Sequence, residues 1–492
     1  MADGTQSDSV NPQTGSFLAQ VPAELLIRIM ATLKTKELGN VRLTCRRIER
    51  TLFNSFAHEF FRKKQFMAYT TSVQALVNIS QHQALSQYLK HILVSTDNLQ
   101  TPVYQLINSG FRTDEQLRQC RLAVADNDEL WDTGALYNML VEAFRNLNPQ
   151  IVDIRDFNSH TRRRDGGSWR SYGARTLEGL TNATLVGRSG AVPSRNSPTA
   201  LFRVVLAALA TAGARPKSIE INTRGHWGIA DEGFMVLNRV PSLVPVLESL
   251  ETLHLVLSPG IGVTQGTQPL GEPFIYNFLA SCPNIKWLRL NFDWIVSEGP
   301  LLSWLSRQDS IRFDKLERID LGGVKGNTRP QTLLSIISKH SSTLQTVSLR
   351  RVQLPITEEE LETRTSPFIT FFKSLRAMAV DIREFNLSSL RFVVQAGAGR
   401  YDTAVEFTDS AGLPKNDNGV FTGTSTAECV QKIRASMSAD WPRQLDDADD
   451  GEDDEEDDSD EDDGDGDGDE DDDDGNDDDD DDDDDEDMQD GA

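Results

Sequence analysis

The feature that most constrains this chain is a recurring pair of aliphatic residues separated by one other residue. Each pair follows a helical apolar stretch and a short turn. It occurs as Val152-Asp-Ile154, Ile219-Glu-Ile221, Leu253-His-Leu255, Leu288-Arg-Leu290, Ile319-Asp-Leu321, Val347-Ser-Leu349 and Met378-Ala-Val380. The second members are 67, 34, 35, 31, 28 and 31 residues apart. Steps near 30 residues are what stacked strand–helix units produce, because one unit cannot bury its apolar face alone. The expected fold class is therefore α/β, with an array over 133–395 and a closing segment over 396–445. The long first step contains a Gly/Ser/Arg-rich stretch, 158–197, read as a loop insertion. An α/β sheet of another topology would carry the same pairs.

In such a stack the residues flanking each buried pair point away from the core. Those are Trp287, Arg289 and Asn291, then Arg318 and Asp320, then Ser348 and Arg350. Tryptophan and arginine are enriched where binding energy concentrates. Trp287, Arg289, Arg318 and Arg350 are thus the candidate contacts for an acidic segment of a protein substrate. A merely solvated sheet face is the plainer reading of any one of them.

The N-terminal part holds a second apolar pattern. After a polar leader, 1–16, Pro22 suits the first helical position and Glu24 the positive first turn. Leu25, Leu26, Ile29 and Leu33 follow at helical spacing, and Leu38, Val41, Cys45 and Ile48 make another stripe. Three short helices in about forty residues cannot bury all of this among themselves, so part of the face is expected to meet a partner. The next segment, 58–132, reads as mostly helical and as a rigid linker.

These residues resemble an F-box. The agreement runs through Val21-Pro22-x-Glu24-Leu25-Leu26, Ile29, Leu33, Glu37-Leu38, Val41, Leu43 and Cys45-Arg46-x-Ile48, within 17–57. Val21 stands for the usual leucine and Ile48 for the usual aromatic residue. The resemblance implies docking onto a Skp-type adaptor, and through it a cullin, with Val21, Pro22, Leu25, Leu26, Ile29, Leu33, Leu38 and Val41 on the adaptor-binding surface. The repeated units in turn resemble a long, irregular leucine-rich repeat: Leu250-x-x-Leu253-x-Leu255, Leu316-x-x-Ile319-x-Leu321 and Leu344-x-x-Val347-x-Leu349. The family's asparagine, three residues beyond, is replaced by Ser258, Asp293, Val324 and Val352. The order F-box, helical linker, degenerate leucine-rich-repeat-like solenoid is similar to that of many fungal F-box proteins. It implies a non-catalytic substrate receptor of a ubiquitin ligase complex, in cytosol or nucleus.

Composition narrows the other classes. The chain has 492 residues with 77 Asp+Glu and 49 Lys+Arg, but the acid is segregated. Thirty-five acidic residues and no basic one lie between Asp446 and Asp490, which leaves 42 acids against 49 bases elsewhere. A mildly basic body carries a polyanionic tail. No run of 18 apolar residues spans a membrane, and Cys45, Cys120, Cys282 and Cys429 form no paired spacing, as in a reducing compartment. Neither a membrane nor nucleic acid is expected as a partner.

The seven histidines show no metal-ligand spacing, and no phosphate loop or nucleophile elbow occurs. Arg162-Arg-Arg164 is a basic triplet in a loop, open to a nuclear-signal or anion-contact role. No catalytic residue, metal or cofactor is expected. The tail, 446–492, has only Ala448, Met488 and Ala492 as apolar residues, too few to offset the entropy of ordering, and is expected to be disordered. Asp463-Gly-Asp465-Gly-Asp467-Gly468 matches the start of a calcium loop, but position twelve is Asp474 and diffuse cation binding is the expectation. A charge this dense seeks polybasic proteins such as histones. An acidic scaffold or chaperone for basic proteins is therefore the competing functional class. Deleting 446–492 should abolish binding to a polybasic protein, and with it the steep salt dependence of that binding, in a titration over ionic strength.

Overall fold

The repeated pairs become neighbouring strands of one ten-stranded sheet whose spatial order is the order of the chain. The strands are β1 (Lys63–Met67), β2 (His91–Ser95), β3 (Ile151–Arg155), β4 (Ser218–Asn222), β5 (Thr252–Leu257), β6 (Trp287–Phe292), β7 (Arg318–Gly322), β8 (Thr346–Arg350), β9 (Glu384–Ser388) and β10 (Asn418–Thr422). Each pairs in parallel with the next up to β9, and β10 closes the sheet antiparallel. This computed structural model describes residues 18, 21–99, 113–158, 170–186, 197–224, 228–258, 272–292, 299–325, 328–396, 399–408, 414–415, 417–439 and 441. They belong to one compact unit, Met1–Pro442. The leader, the acidic tail and the triplet Arg162–Arg164 lie outside the described residues.

Register explains why the pairs are aliphatic. Ile92, Val152, Ile219, Leu253, Leu288, Ile319, Val347 and Phe385 pair in one row across eight strands, and all are at most 1% exposed. A second buried row includes Leu255, Leu290, Leu321, Leu349 and Leu387. Both rows point to the same side, since side chains alternate with period two. Each fully buried aliphatic group contributes about 1.5–3 kcal/mol. A parallel sheet whose strand order never reverses places its right-handed crossovers on one side. The helices accordingly cover the aliphatic rows with buried Phe144, Phe202, Phe278, Phe371 and Phe372. Phe202, Phe234 and Phe278 interlock with ring centroids 5.1–5.7 Å apart.

A backbone contact repeats at every step. The carbonyl just before a strand accepts two successive N–H groups from the entry of the next. Gln150 O accepts from Lys217 (2.7 Å) and Ser218 (3.1 Å), and Glu251 O accepts from Lys286 (2.7 Å) and Trp287 (3.0 Å). The same fork occurs at Arg62, Lys90, Lys217, Lys286, Glu317 and Gln345. Salt-bridged side chains reinforce it on the surface, where Lys217 and Lys286 both hold the Glu251 carboxylate. These hydrogen bonds keep the Glu251 carboxyl at about 2.

Three expectations are corrected. The segment 58–132 is not a helical linker: it supplies β1 and β2, with the helix Thr70–Gln81 between them and the helix Asp114–Asp132 after. The last parallel strand is not Met378-Ala-Val380 but β9, with Phe385 and Leu387 as the buried pair. The stretch 158–197 is more than a loop. Its described part holds the helix Ala174–Thr181, and Leu185–Val186 pairs with Asn98–Leu99. Ala174 and Leu185 of this stretch join Met67, Tyr69 and Cys120 in a small separate core. The closing segment also adds Gly399–Thr408 to a second, five-stranded sheet.

Val324 and Val352, at two positions where the resemblance leads one to expect asparagine, are fully buried. Packing replaces a polar ladder there. Beyond β7 the chain turns through Gly323 at φ +69°, where a Cβ would lie 2.0 Å from the Phe292 carbonyl oxygen. Gly213 has the same backbone sign, φ +70°, but open space around it. Gly213→Ala should cost about 1–2 kcal/mol from backbone strain alone. Gly323→Ala should cost clearly more, read from urea denaturation of both variants.

Candidate functional site

The N-terminal module is three helices, α1 (Ala23–Met30), α2 (Thr35–Arg42) and α3 (Arg46–Phe61). Pro22 sits one residue before α1, as its N-cap, and its carbonyl accepts the Leu26 N–H at 3.0 Å. The module has its own core of Leu26, Met30, Leu38, Ile48, Leu52 and Phe60. Arg42 locks α2 to α3 by a two-pronged contact with Glu49 (2.8 and 2.7 Å), its guanidinium 3.2 Å above the Phe56 ring.

The candidate docking residues therefore divide. Leu26 and Leu38 are 2% and 3% exposed and belong to this core, so they support the module. Val21, Leu33 and Val41 are half-buried against it. Pro22, Leu25 and Ile29 lie on one helical face at spacings of three and four and are exposed, Leu25 at 51% and Ile29 at 47%. Two further aliphatic residues join the exposed set, Ile27 and Leu43, the latter 86% exposed. Ile27 borders a small cleft of about 90 Å³ between α1 and α3, lined also by Met30, Ala31, Leu52, Ser55 and Phe56.

The second candidate surface is the sheet face opposite the aliphatic rows. Its central row runs Gln65, Leu93, Asp153, Glu220, His254, Arg289, Asp320, Ser348 and Asn386 from β1 to β9. Three of the four candidate substrate contacts meet at Asp320. Trp287 Nε1 (2.9 Å) and Arg289 Nε (3.1 Å) donate to its Oδ2, and Arg318 Nε (2.9 Å) to its Oδ1. The Arg318 guanidinium lies 4.2 Å from the Trp287 ring, and the His254 ring meets that indole edge-on at 4.4 Å. Arg350 is not in this cluster: it pairs in the row of Asn291 and Gly322. Both arginines spend Nε on Asp320 and keep about a third of the side chain in solvent.

Further along the row the same face is buried. Arg155 donates to Asp153, whose side chain is fully buried; burial pushes this carboxyl up, but Arg155 and His91 outweigh it and hold it below the usual carboxylate range. His91 Nε2 lies 3.6 Å from Asp153 Oδ2, and Ser218 Oγ donates to Glu220 at 2.7 Å. Phe157 lies beneath the guanidinium groups of Arg155 (5.2 Å) and Arg224 (4.2 Å). The sequence reading took the histidines as scattered. His91 and His254 in fact share this face with Asp153 and Glu220, on four adjacent strands. The middle residue of each aliphatic pair was the available signal for all but His91.

No family model matches the chain, and no curated protein is significantly similar to it in sequence. Among the described residues no helix is long and apolar enough to cross a membrane.

His254 also makes the face sensitive to acid. Burial first, then the charges of Arg289 and Arg318, lowers its imidazole to about 3. Between about pH 3 and 6.5 the unfolded chain thus binds a proton that the folded one excludes, so stability falls as pH falls below 6.5. A single such group gives a slope near 1.4 kcal/mol per pH unit at most. His254→Gln should flatten the fall in denaturation free energy between pH 6.5 and 4.5 relative to the unsubstituted chain.

Proposed function

We propose that this chain is a non-catalytic substrate receptor of a Skp–cullin–F-box ubiquitin ligase. The helical module docks the Skp-type adaptor, and the open face of a leucine-rich-repeat-like solenoid holds a protein substrate. The observation that carries the reading is the exposed aliphatic edge of Pro22, Leu25 and Ile29 on a module whose core is already closed. Helices this small ordinarily keep leucine and isoleucine inside; leaving them in water is unfavourable unless a second surface covers them. The resemblance of 17–57 to an F-box names that surface.

The reactive cysteine then belongs to the conjugating enzyme, and the receptor contributes proximity. Holding a substrate lysine near that cysteine converts a bimolecular attack into an effectively unimolecular one. Rigidity between the two surfaces serves this directly. Helix α3 ends at Phe61 and β1 starts at Lys63, so a single residue, Arg62, joins module to sheet. The helix is further tied down by Tyr88, whose hydroxyl donates to Asn54 at 2.9 Å and whose ring meets Phe53 edge-on.

On the substrate face, Trp287, Arg289 and Arg318 are the contacts for an acidic segment, with Arg350 two positions further along the neighbouring strand. Asp320 fixes the direction of both guanidinium groups before any ligand arrives, which reduces the entropy lost on binding. The polyacidic tail favours a second reading, an acidic scaffold for basic proteins. Adaptor and cullin retained at high salt support the receptor; histones lost as salt rises, with no adaptor recovered, support the scaffold.

Leu25→Asp combined with Ile29→Asp should reduce adaptor recovery in a pull-down by more than about tenfold, since a carboxylate must then be desolvated at the contact. Both positions are exposed, so the melting temperature should hold. Full adaptor recovery by that variant refutes the docking surface. Leu26→Ala should instead lower stability by about 2–5 kcal/mol through a cavity in the module core.

A further inference from the structure

We propose that His91, Asp153 and Glu220 form a binding site for a first-row divalent cation, zinc by preference. The three come from adjacent strands β2, β3 and β4, on the face away from the helices. One ligand atom from each lies within 4.8 Å of the others. The site is independent of the ligase reading and uses none of its contacts.

Three observations carry the site. The His91 Nε2 atom is buried and has no hydrogen-bond partner, although it points to within 3.6 Å of the Asp153 carboxylate. His254, on β5, is a second imidazole of the same kind. Its side chain is 6% exposed, its Nε2 is buried without a partner, and its Nδ1 lies 4.0 Å from Glu220 Oε2. Two unpaired imidazole nitrogens in one buried patch are unusual, because buried polar atoms are nearly always satisfied.

The third observation is outer-sphere support. Arg155 donates to Asp153 Oδ2, and the Asn222 amide lies 3.5 Å from its Oδ1. Ser218 Oγ donates to Glu220 Oε1, leaving Oε2 toward His254. Ligating carboxylates are ordinarily oriented by such partners.

The donor set selects the metal. One or two imidazole nitrogens with two carboxylates match zinc and its first-row neighbours, whereas magnesium and calcium take oxygen ligands throughout. A bound ion would clip together three strands whose sequence positions span His91 to Glu220.

The test uses the untagged, full-length chain, stripped with a chelator and titrated with zinc against a chromophoric competitor at high salt. The acidic tail binds cations only diffusely there. One tight equivalent is expected. His91→Ala and Glu220→Gln should each weaken it at least about tenfold, leaving the weak tail binding unchanged. An equal tight equivalent in both variants, or none in the unsubstituted chain, overturns the site. Should either variant fail to fold, X-ray absorption at the zinc edge of the unsubstituted chain decides. Imidazole scattering supports the site, because the tail has no histidine; an all-oxygen shell overturns it.

Discussion

Two aliphatic rows crossing the sheet on one side are the contact on which the other features depend. They exist because each unit places its pair at the same register as the last, and the forked backbone hydrogen bonds at the strand entries hold that register. A slip of one residue would turn every pair to the opposite face. Helices therefore cover the aliphatic rows along the sheet, and from β3 onward the central row of the other side is released from the demand for apolar residues. The polar row from Gln65 to Asn386 is a consequence of that release. A chain of the same length wound on both faces would have no such surface.

How far this could be read in advance depended on how many apolar residues competed locally. From β3 to β8 each unit offers one aliphatic pair after a turn, and all six pairs fall where the spacing puts them. At β9 Met378, Val380 and Ile382 alternate in one phase, and after Arg383-Glu384 the pair Phe385 and Leu387 alternates in the opposite one. Both phases offer a strand, and the Arg383 and Glu384 N–H groups bonding back to Gln345 O select the second. For β1 and β2 the difficulty is different. Phe66 and the run Ile92-Leu93-Val94 are short apolar stretches that helix and strand accommodate equally. Sheet pairing, a non-local interaction, settled what local pattern left open.

The same limit governs the module. Leu25 and Leu26 are adjacent, alike and about 100° apart on the helix. No local property distinguishes them, yet one is half in solvent and the other 2% exposed. The difference is made by α3, whose Ile48 and Leu52 close over Leu26 from more than twenty residues away. Candidate docking residues were thus legible as a set, and only packing sorted supports from contacts. Ile27 and Leu43 sit off the expected stripe, and among the described residues they stay exposed, at 38% and 86%.

Charge on the polar row obeys its own constraint. Neighbouring strands bring opposed side chains to about 4.5–5.5 Å, where like charges repel. The row answers with compensation at each member. Asp153 has Arg155, Glu220 has the Ser218 hydroxyl, and Asp320 has Trp287, Arg289 and Arg318. Compensation differs in completeness, and that difference sets what each part can still do. Around Asp320 two cations share one carboxylate and a third of each side chain stays in water, so a net positive charge faces outward. Around Asp153 the carboxylate is enclosed, and among the described residues two imidazole nitrogens of the same face lack hydrogen-bond partners. One face of one sheet thereby carries an open part, where two guanidinium groups share the Asp320 carboxylate, and a buried part around Asp153, with His254 and Trp287 between them.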